Sequence, residues 1–195
     1  MTRVSIVMSL PPLILASGSP RRVELLKELG LEFRVEVSQA SELAGEHLSP
    51  HETCRLNAHR KARAVSKHFP DHLVLGADTE VTLDHEVFGK PANFAAAVAM
   101  LRRLQGRSHE VVTGVCLIHL RQHRQKIFTV STTVTFRSLD EAQIEAYLRA
   151  INPLDKAGAY AIQDRGEQIV ERISGSFSNV VGLPLEELRM QLAAW

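Results

Sequence analysis

Leu13–Gly30, with the sequence LILASGSPRRVELLKELG, is the stretch that decides the fold of this chain. Its first four residues are apolar and predict a short buried strand. Ser19 and Pro20 are typical of the N-cap and first position of a helix, which we expect to end at Gly30. A strand that leads through a short turn into a helix is the first unit of an α/β protein.

Further strands and helices follow this unit in alternation. Segments rich in β-branched and apolar residues predict strands at 33–37, 73–77, 111–120, 126–136 and 168–173, and a hairpin over 81–87 that turns at Asp84-His85. The segments 111–120 and 126–136 are expected to form a long antiparallel pair. Capping residues predict helices that begin after Ser49, Asn93 and Ser138, and a last helix near Pro184. We therefore expect an α/β fold with a mixed sheet.

The composition excludes several classes of protein. The 195 residues include 23 Lys and Arg against 22 Asp and Glu, and 45% are hydrophobic, which is typical of a globular protein. The balanced charge and an aromatic content of 5% argue against a dedicated nucleic-acid-binding protein. No run approaches the roughly 20 apolar residues of a membrane span. We therefore expect neither nucleic acid nor a membrane among its partners.

The two cysteines bear on the compartment of the protein. Cys54 and Cys116 lie far apart, and they form neither a C-x-x-C pair nor a disulfide framework. This pattern is typical of a reducing compartment, so we expect a cytoplasmic location.

The N-terminal segment bears on domain organisation. Its apolar run imitates a secretory signal, but Pro11 and Pro12 disfavour the helix that such a signal requires. We expect residues 1–12 to be a leader, disordered or at an edge, that precedes a single domain over residues 13–195.

The turn Ser17–Arg22 is the first candidate for a binding site. A helix N-terminus presents free N–H groups and the positive end of the helix dipole, and both favour an anion. Gly18 permits close approach of the backbone, the serines donate hydroxyl hydrogen bonds, and Arg21 and Arg22 add charge. The turn predicts a phosphate site; the alternative is an ordinary capped helix with solvent-exposed arginines.

Asp78 and Thr79 form the second candidate, directly after the predicted strand 73–77. Ligands of open α/β sheets gather beyond the carboxyl ends of strands, where an acidic residue can hold a metal or act as a general base. A strand-terminating Asx turn is the alternative.

Two loops are further candidates. Gly89-Lys90-Pro91 holds a lysine between two turn-forming residues, and without further context a simple turn with a solvated lysine is the favoured explanation. The segment 155–163, DKAGAYAIQ, mixes opposite charges with glycine and an amide, and such loops more often bind a ligand than form core. The segment 175–179 is expected to be a second flexible loop.

Taken together and in this order, these segments resemble the motifs of the Maf family, also called septum-formation-inhibitor proteins. The matching segments are Ser17–Arg22, 55–56 with 61–62 of one helix, 76–79, 89–91, 108–114, 155–163 and 179–184. Each motif is short, but seven in the right order cover nearly everything from Leu13 onward.

The resemblance implies a nucleotide pyrophosphatase, which cleaves nucleoside triphosphates between the α and β phosphates with a divalent metal, Mg²⁺ or Mn²⁺. The implied fold is one domain of two lobes on a long, bent mixed sheet flanked by helices, similar to inosine triphosphate pyrophosphatases. The active site is expected in the cleft between the lobes. Members of the family often form homodimers, so a homodimer is an expected assembly.

The family's functional residues correspond to several positions of this chain. Asp78 matches the catalytic proton acceptor for the attacking water and, with Glu42, the metal site. Arg21, Thr79 and Gln163 occupy positions that mark the branch acting on dTTP and UTP. The other substrate-binding positions implied by the resemblance are Ser17, Ser19, Arg22, Lys61, Lys90 and Lys156. Fixed cations and a carboxylate are what phosphoryl transfer requires, and a Gln amide can both donate to and accept from a pyrimidine edge.

One departure from the family concerns substrate preference. After Gln163 the chain continues with DRGE at 164–167, where the pyrimidine-specific branch more often has a glycine-rich step. This departure leaves a preference for 7-methyl-GTP, or broad selectivity, as the alternative. A non-catalytic regulator of septum formation is an alternative of another class, although Asp78, Lys90 and Lys156 have no evident use in a pure binding module.

Overall fold

One mixed β-sheet organises the chain, which a computed structural model describes over residues 10–43, 47–84 and 86–195. The strands are β1 (Leu13–Leu15), β2 (Phe33–Val35), β3 (Leu73–Leu83), β4 (Glu86–Phe88), β5 (Ser108–His119), β6 (Arg124–Phe136) and β7 (Val170–Ser174). The helices are α1 (Pro20–Glu28), α2 (Pro50–Ser66), α3 (Phe94–Leu104), α4 (Glu141–Ala150), α5 (Phe177–Val181) and α6 (Leu185–Ala193). None of these helices is long and apolar enough to cross a membrane.

The strand order confirms the fold class. The strands lie in the order β2-β1-β3-β5-β6-β7, and β4 pairs with the C-terminal end of β3. β1 is parallel to both β2 and β3, whereas the β3–β5, β5–β6 and β6–β7 pairs are antiparallel. The expected α/β fold with a mixed sheet and flanking helices is therefore confirmed. The first nine residues of the expected leader lie outside the described residues, and the division at residue 13 stays a prediction.

β3 and β5 are long enough to carry a separate apolar core at each end. Their register runs from Leu73 opposite His119 to Thr82 opposite Glu110. At one end, β1, α1 and α6 share a core with the first half of β3, and α2 covers the other face of the sheet. At the opposite end, α3 and α4 form a core with the second half of β3 and the end of β6.

Two glycines allow α2 to lie directly on the sheet. A Cβ added to Gly114 of β5 would come within 2.4 Å of the Cys54 carbonyl group. A Cβ added to Gly76 of β3 would come within 2.4 Å of the Ala58 carbonyl oxygen. Because Cys54 and Ala58 are about one helical turn apart, the two glycines set the height of one face of α2 above the sheet.

Three sequence expectations differ from the structure. β3 does not end at Asp78 but continues to Leu83, because the residues after Asp78 keep pairing with β5. The helix expected after Ser138 begins later, since the side chain of Asp140 makes the N-cap hydrogen bond. The segment 175–179 is not a flexible loop, because it contains the start of α5.

Candidate active site

One cleft, with a volume of about 870 Å³, receives side chains from both ends of the sheet. Its walls come from β3 and α2, the turn between β1 and α1, the loop after β4 and the segment 155–163. The structure brings to this cleft every residue that the sequence predicted for the site: Ser17, Ser19, Arg21, Arg22, Glu42, Lys61, Asp78, Thr79, Lys90, Lys156 and Gln163. Their roles in binding and catalysis stay predictions.

The buried Asp78 carboxylate accepts hydrogen bonds from two side chains of α2. Lys61 Nζ donates to Asp78 Oδ1 at 2.7 Å and to Glu42 Oε1 at 2.6 Å, so one ammonium group joins two carboxylates. Asn57 Nδ2 donates to Asp78 Oδ2 at 3.0 Å. Asn57 and Lys61 are four residues apart and therefore share a face of the helix. Because α2 sits directly on the sheet glycines, both donors reach the carboxylate.

Arg22 is fixed by neutral groups. Its Nε donates to the Gly182 carbonyl oxygen at 2.8 Å, and its Nη2 donates to Thr79 Oγ1 at 2.9 Å. Its Nη1 donates to Ser17 Oγ at 3.3 Å. Burial lowers the pKa of Arg22, an effect that the carboxylates of the cleft oppose. The positive charge of this guanidinium is thus positioned without an ion pair among the described residues.

The turn before α1 presents polar groups to the same cleft. Ser19 occupies the N-cap position of α1, but its side chain makes no capping hydrogen bond. Instead, Ser17 Oγ accepts a hydrogen bond from the Ser19 backbone N–H at 3.3 Å. The first turn of α1 carries no acidic residue. Together with Arg22, this arrangement suits an anion at the helix N-terminus.

Asp155 pairs with two of the predicted cations. Arg21 Nη1 donates to Asp155 Oδ2 at 3.3 Å, and Lys156 Nζ donates to Asp155 Oδ1 at 2.8 Å. Arg21 belongs to α1 and Asp155 to the loop after α4, so this ion pair links parts of the chain that belong to different cores. Lys90 and Gln163 are exposed in the cleft.

Asn57 and Glu80 also line the cleft, and the sequence prediction did not include them; Asp155 lies there too, in the candidate segment 155–163, but it was given no role of its own. Asn57 lies four residues before Lys61 on a predicted helix, so helical spacing would have found it. Glu80 shares the face of β3 with Asp78, which period-two alternation reveals only once the strand is known to continue. Burial, followed by the negative charges of Asp78 and Glu42, raises the pKa of Glu80 to about 7.

The cleft carries cationic side chains that suit an anionic ligand and carboxylates that suit a divalent metal bound to it. Among the described residues, five cationic side chains and four carboxylates line the cleft: Arg21, Arg22, Lys61, Lys90 and Lys156, with Glu42, Asp78, Glu80 and Asp155. The hydrogen bond from Lys61, helped by the charges of Lys90 and Arg22, lowers the pKa of Glu42. Glu42 is therefore ionised at neutral pH.

Glu42 and Asp78 fit a metal that is shared with a phosphorylated ligand. Both carboxylates accept hydrogen bonds from Lys61 Nζ, at 2.6 and 2.7 Å, so two hard oxygen ligands lie side by side in the cleft, next to the ammonium group. In the described parts of the chain, no group of three or more His, Cys, Asp or Glu side chains has metal-binding geometry. Mg²⁺ is commonly held by one or two carboxylates together with substrate phosphates, and this pair matches that mode of binding.

The fold and the cleft define an α/β protein with a site suited to an anionic ligand, and the chain belongs to the Maf family. The family model described as Maf-like protein matches residues 12–195. A dTTP/UTP pyrophosphatase of Symbiobacterium thermophilum is 50% identical over 173 residues, which is 89% of this chain and 88% of that protein. A dTTP/UTP pyrophosphatase of Bacillus cereus is 46% identical over 180 residues, 92% of this chain and 88% of that protein.

Solved structures of lower identity share the fold. The Ham1 protein of Staphylococcus aureus is 15% identical, with a TM-score of 0.53 over 92% of this chain and 99% of that chain. A HAM1 protein from Coxiella burnetii is 17% identical, with a TM-score of 0.53 over 95% of this chain and all of that chain. At these identities the likeness concerns the architecture alone.

Proposed function

We propose that the chain is a nucleoside triphosphate pyrophosphatase that hydrolyses dTTP and UTP to the monophosphate and pyrophosphate. The observation that carries this proposal is the buried Asp78 carboxylate, which Lys61 and Asn57 hold inside a cleft lined by five cations. The names of relatives at 46% and 50% identity support the choice of substrates.

Asp78 is the proposed proton acceptor for the attacking water. Lys61 donates to one carboxylate oxygen and Asn57 to the other, which fixes the plane of the group. A carboxylate oxygen has two lone pairs, so each oxygen keeps one for a further hydrogen. A water held at such a lone pair passes its proton to Asp78 as its oxygen forms a bond to the α phosphorus; the bond from that phosphorus to the bridging oxygen breaks, and pyrophosphate leaves.

The cations are proposed to stabilise the negative charge of the triphosphate and of the departing pyrophosphate. Arg22 needs little reorganisation, because three neutral partners already fix its guanidinium group. Arg21 and Lys156 share Asp155, and each keeps further N–H donors for phosphate oxygens. Phosphoryl transfer depends mainly on such positioning and electrostatic stabilisation.

A divalent cation, Mg²⁺ or Mn²⁺, is part of the proposal. Glu42 and Asp78 are the residues that would hold it, and it would neutralise charge on the phosphates when bound. The exposed Gln163 amide is proposed to contact the uracil or thymine edge, since it offers both a donor and an acceptor.

Compartment and assembly belong to the proposal as well. Both cysteines are free and buried, which agrees with the cytoplasmic location expected from the sequence. The homodimer expected from the family resemblance stays a prediction, which sedimentation of the purified protein would test.

The deciding experiment measures pyrophosphate release from a panel of triphosphates that includes dTTP, UTP and 7-methyl-GTP, with Mg²⁺ or Mn²⁺. We expect the highest kcat/KM for dTTP and UTP. Asp78→Asn should lower kcat on the order of 10²- to 10⁴-fold, because the proton acceptor is lost. Asp71→Asn, at an exposed carboxylate outside the cleft, is the control and should retain activity.

Three outcomes would contradict parts of the proposal. The absence of pyrophosphate release from every triphosphate would leave the non-catalytic regulator as the better explanation. Full activity in Asp78→Asn would remove the assigned role of this residue. Faster release from 7-methyl-GTP than from dTTP or UTP would overturn the proposed preference but not the reaction class.

A further inference from the structure

The segment 156–163 passes through backbone conformations that side chains disfavour. Gly158 and Ala159 both have left-handed φ values, 69° and 62°. For glycine this conformation is easy, but the Cβ of an alanine makes it unfavourable. An alanine persists there only when its surroundings hold the backbone in place.

Buried hydrogen bonds hold the residues that follow this turn. The Tyr147 hydroxyl of α4 donates to the Ala161 carbonyl oxygen at 3.0 Å and accepts from the Ala161 N–H at 3.1 Å. The Tyr160 hydroxyl lies 2.9 Å from Nε2 of His109 on β5. Two neighbouring residues of the segment are thus tied to two different elements of the fold.

A third tie joins the segment to the loop that carries Lys90. The Gly158 N–H donates to the Gly89 carbonyl oxygen at 3.1 Å. This hydrogen bond joins the turn at 158–159 to the loop around Lys90, which lines the cleft together with the residues on either side of the turn.

The tyrosine hydrogen bonds lie in an apolar environment, which makes their loss costly. Tyr147 is 1% exposed, His109 3% and Tyr160 6%. The rings of His109, Tyr160 and Phe136 contact one another edge to face, with centroids 4.7–5.4 Å apart. A polar group stranded in such surroundings has no water to replace its lost partner.

We propose that Tyr147 and the Tyr160–His109 pair are positioning residues, which hold the left-handed turn at Gly158 and Ala159 and so place Lys156 and Gln163 for the nucleotide. The inference rests on the proposed function, because it concerns the same cleft. Residues 156, 157 and 160–163 all line that cleft, so a change in the turn displaces one wall of it.

Tyr147→Phe and Tyr160→Phe test the proposal, since each removes only a hydroxyl group. Each should weaken the binding of a non-hydrolysable dTTP analogue about 3- to 10-fold, because Tyr160→Phe removes one hydrogen bond and Tyr147→Phe removes two. KM for dTTP should rise with the dissociation constant, while kcat stays within about twofold, because the lost contact acts on ground state and transition state alike.

Ala159→Gly supplies a rescue that a general loss of stability would not show. Glycine adopts the left-handed conformation without the steric cost of a Cβ. In the Tyr160→Phe background, Ala159→Gly should therefore recover about threefold in affinity for the analogue. Ile118→Val is the matched control, because it removes a buried methyl group in the core at the other end of β5. It should lower stability but leave the analogue's affinity unchanged.

The outcomes separate this inference from the proposed function. Wild-type activity combined with unchanged affinity in both tyrosine variants would overturn the positioning role alone. An equal loss of affinity in Ile118→Val, or a further loss on adding Ala159→Gly, would overturn it as well. No pyrophosphate release by the wild type would overturn the proposed function, and this inference with it.

Discussion

At the scale of single residues, Glu80 is the carboxylate of the cleft whose surroundings least favour its charge. Its Oε2 atom is buried and has no hydrogen-bond partner among the described residues. Burial, followed by the nearby carboxylates of Asp78 and Glu42, raises its pKa from an ordinary value of 4.5 to about 7. The ionised form therefore weakens the folded state, and this effect grows as pH rises from about 4.5 to 7.

Glu80→Gln should consequently stabilise the metal-free protein at high pH. The gain over the wild type should be about 1 kcal/mol larger at pH 8 than at pH 5, a figure reduced for the partial solvation of the side chain. Urea unfolding of both proteins at the two pH values, without divalent metal, measures it. The exposed Glu28→Gln is the control, and an equal effect of Glu80→Gln at both pH values would contradict the assignment.

The sequence predicts Asp78 as a site residue but not Glu80, although both lie in the cleft. Asp78 is recognisable because it follows an apolar run and belongs to a family motif. The apolar run stops at Ala77, however, so the sequence predicts a strand end where the structure has the middle of a strand. Cross-strand pairing to β5 extends β3, and no local pattern contains that information. For that reason the sequence did not place Glu80 beside Asp78.

At the scale of elements, the seat of α2 on β3 and β5 sets the geometry of the cleft. Gly114→Ala should lower the free energy of unfolding by about 3 kcal/mol or more, because the new Cβ would collide with the α2 backbone. Any folded fraction should lose activity, since α2 carries both donors to Asp78.

Gly89→Ala is the matched control for stability. An added Cβ there meets nothing within 4 Å, so the free energy of unfolding should change by less than about 0.5 kcal/mol. Chemical denaturation of both variants measures the contrast. Equal stabilities would show that α2 has room to move off the sheet.

Element boundaries were predictable where a side chain caps a helix. Ser49 and Glu52 form the expected capping box at α2, and Asn93 caps α3 as expected. Both Ser138 and Asp140 are suitable N-cap residues for α4. In the structure the Asp140 side chain makes the capping hydrogen bond, which the sequence alone does not indicate. A helix as short as α5 has too few residues for a periodic signal, so its sequence resembles a loop.

At the scale of the whole molecule, a formal net charge of +1 conceals a cleft rich in charges of both signs. Asp155 is the carboxylate there that pairs with two cations, Arg21 and Lys156. The Lys156 side chain is buried and the Asp155 side chain is 52% exposed, so this carboxylate holds a buried ammonium group and also weakens the positive field that an incoming anion meets.

Asp155→Asn should therefore increase the affinity for the triphosphate. We expect KM for dTTP to fall about threefold at low salt, and the difference to disappear near 1 M salt as screening removes it. Steady-state kinetics across a salt series measures this effect. Asp71→Asn, which removes an exposed carboxylate outside the cleft, should leave KM unchanged, and a higher KM in Asp155→Asn would refute the electrostatic argument.

The α/β fold with a mixed sheet could be predicted from the sequence, because the order of strands and helices and the seven family motifs both indicate it. The predicted residues meet in one cleft because of the order of the strands in the sheet. The motifs do not encode that order themselves, and it could be expected only from the resemblance to the family. Tyr147 and His109 escaped prediction as functional residues, because each acts through a hydrogen bond to the segment 156–163 that only the folded chain brings near it.

The hydrogen bond from Arg22 to Gly182 joins residues 160 positions apart and has a consequence for synthesis. The turn that holds Arg22 leaves the ribosome early, whereas the carbonyl group that fixes the guanidinium is added near the end of translation. At about 5–20 residues per second, the nascent chain carries an unfinished cleft for roughly 10–30 s. A translation product that stops before Gly182 therefore lacks one of the three acceptors that fix the Arg22 guanidinium group in the cleft.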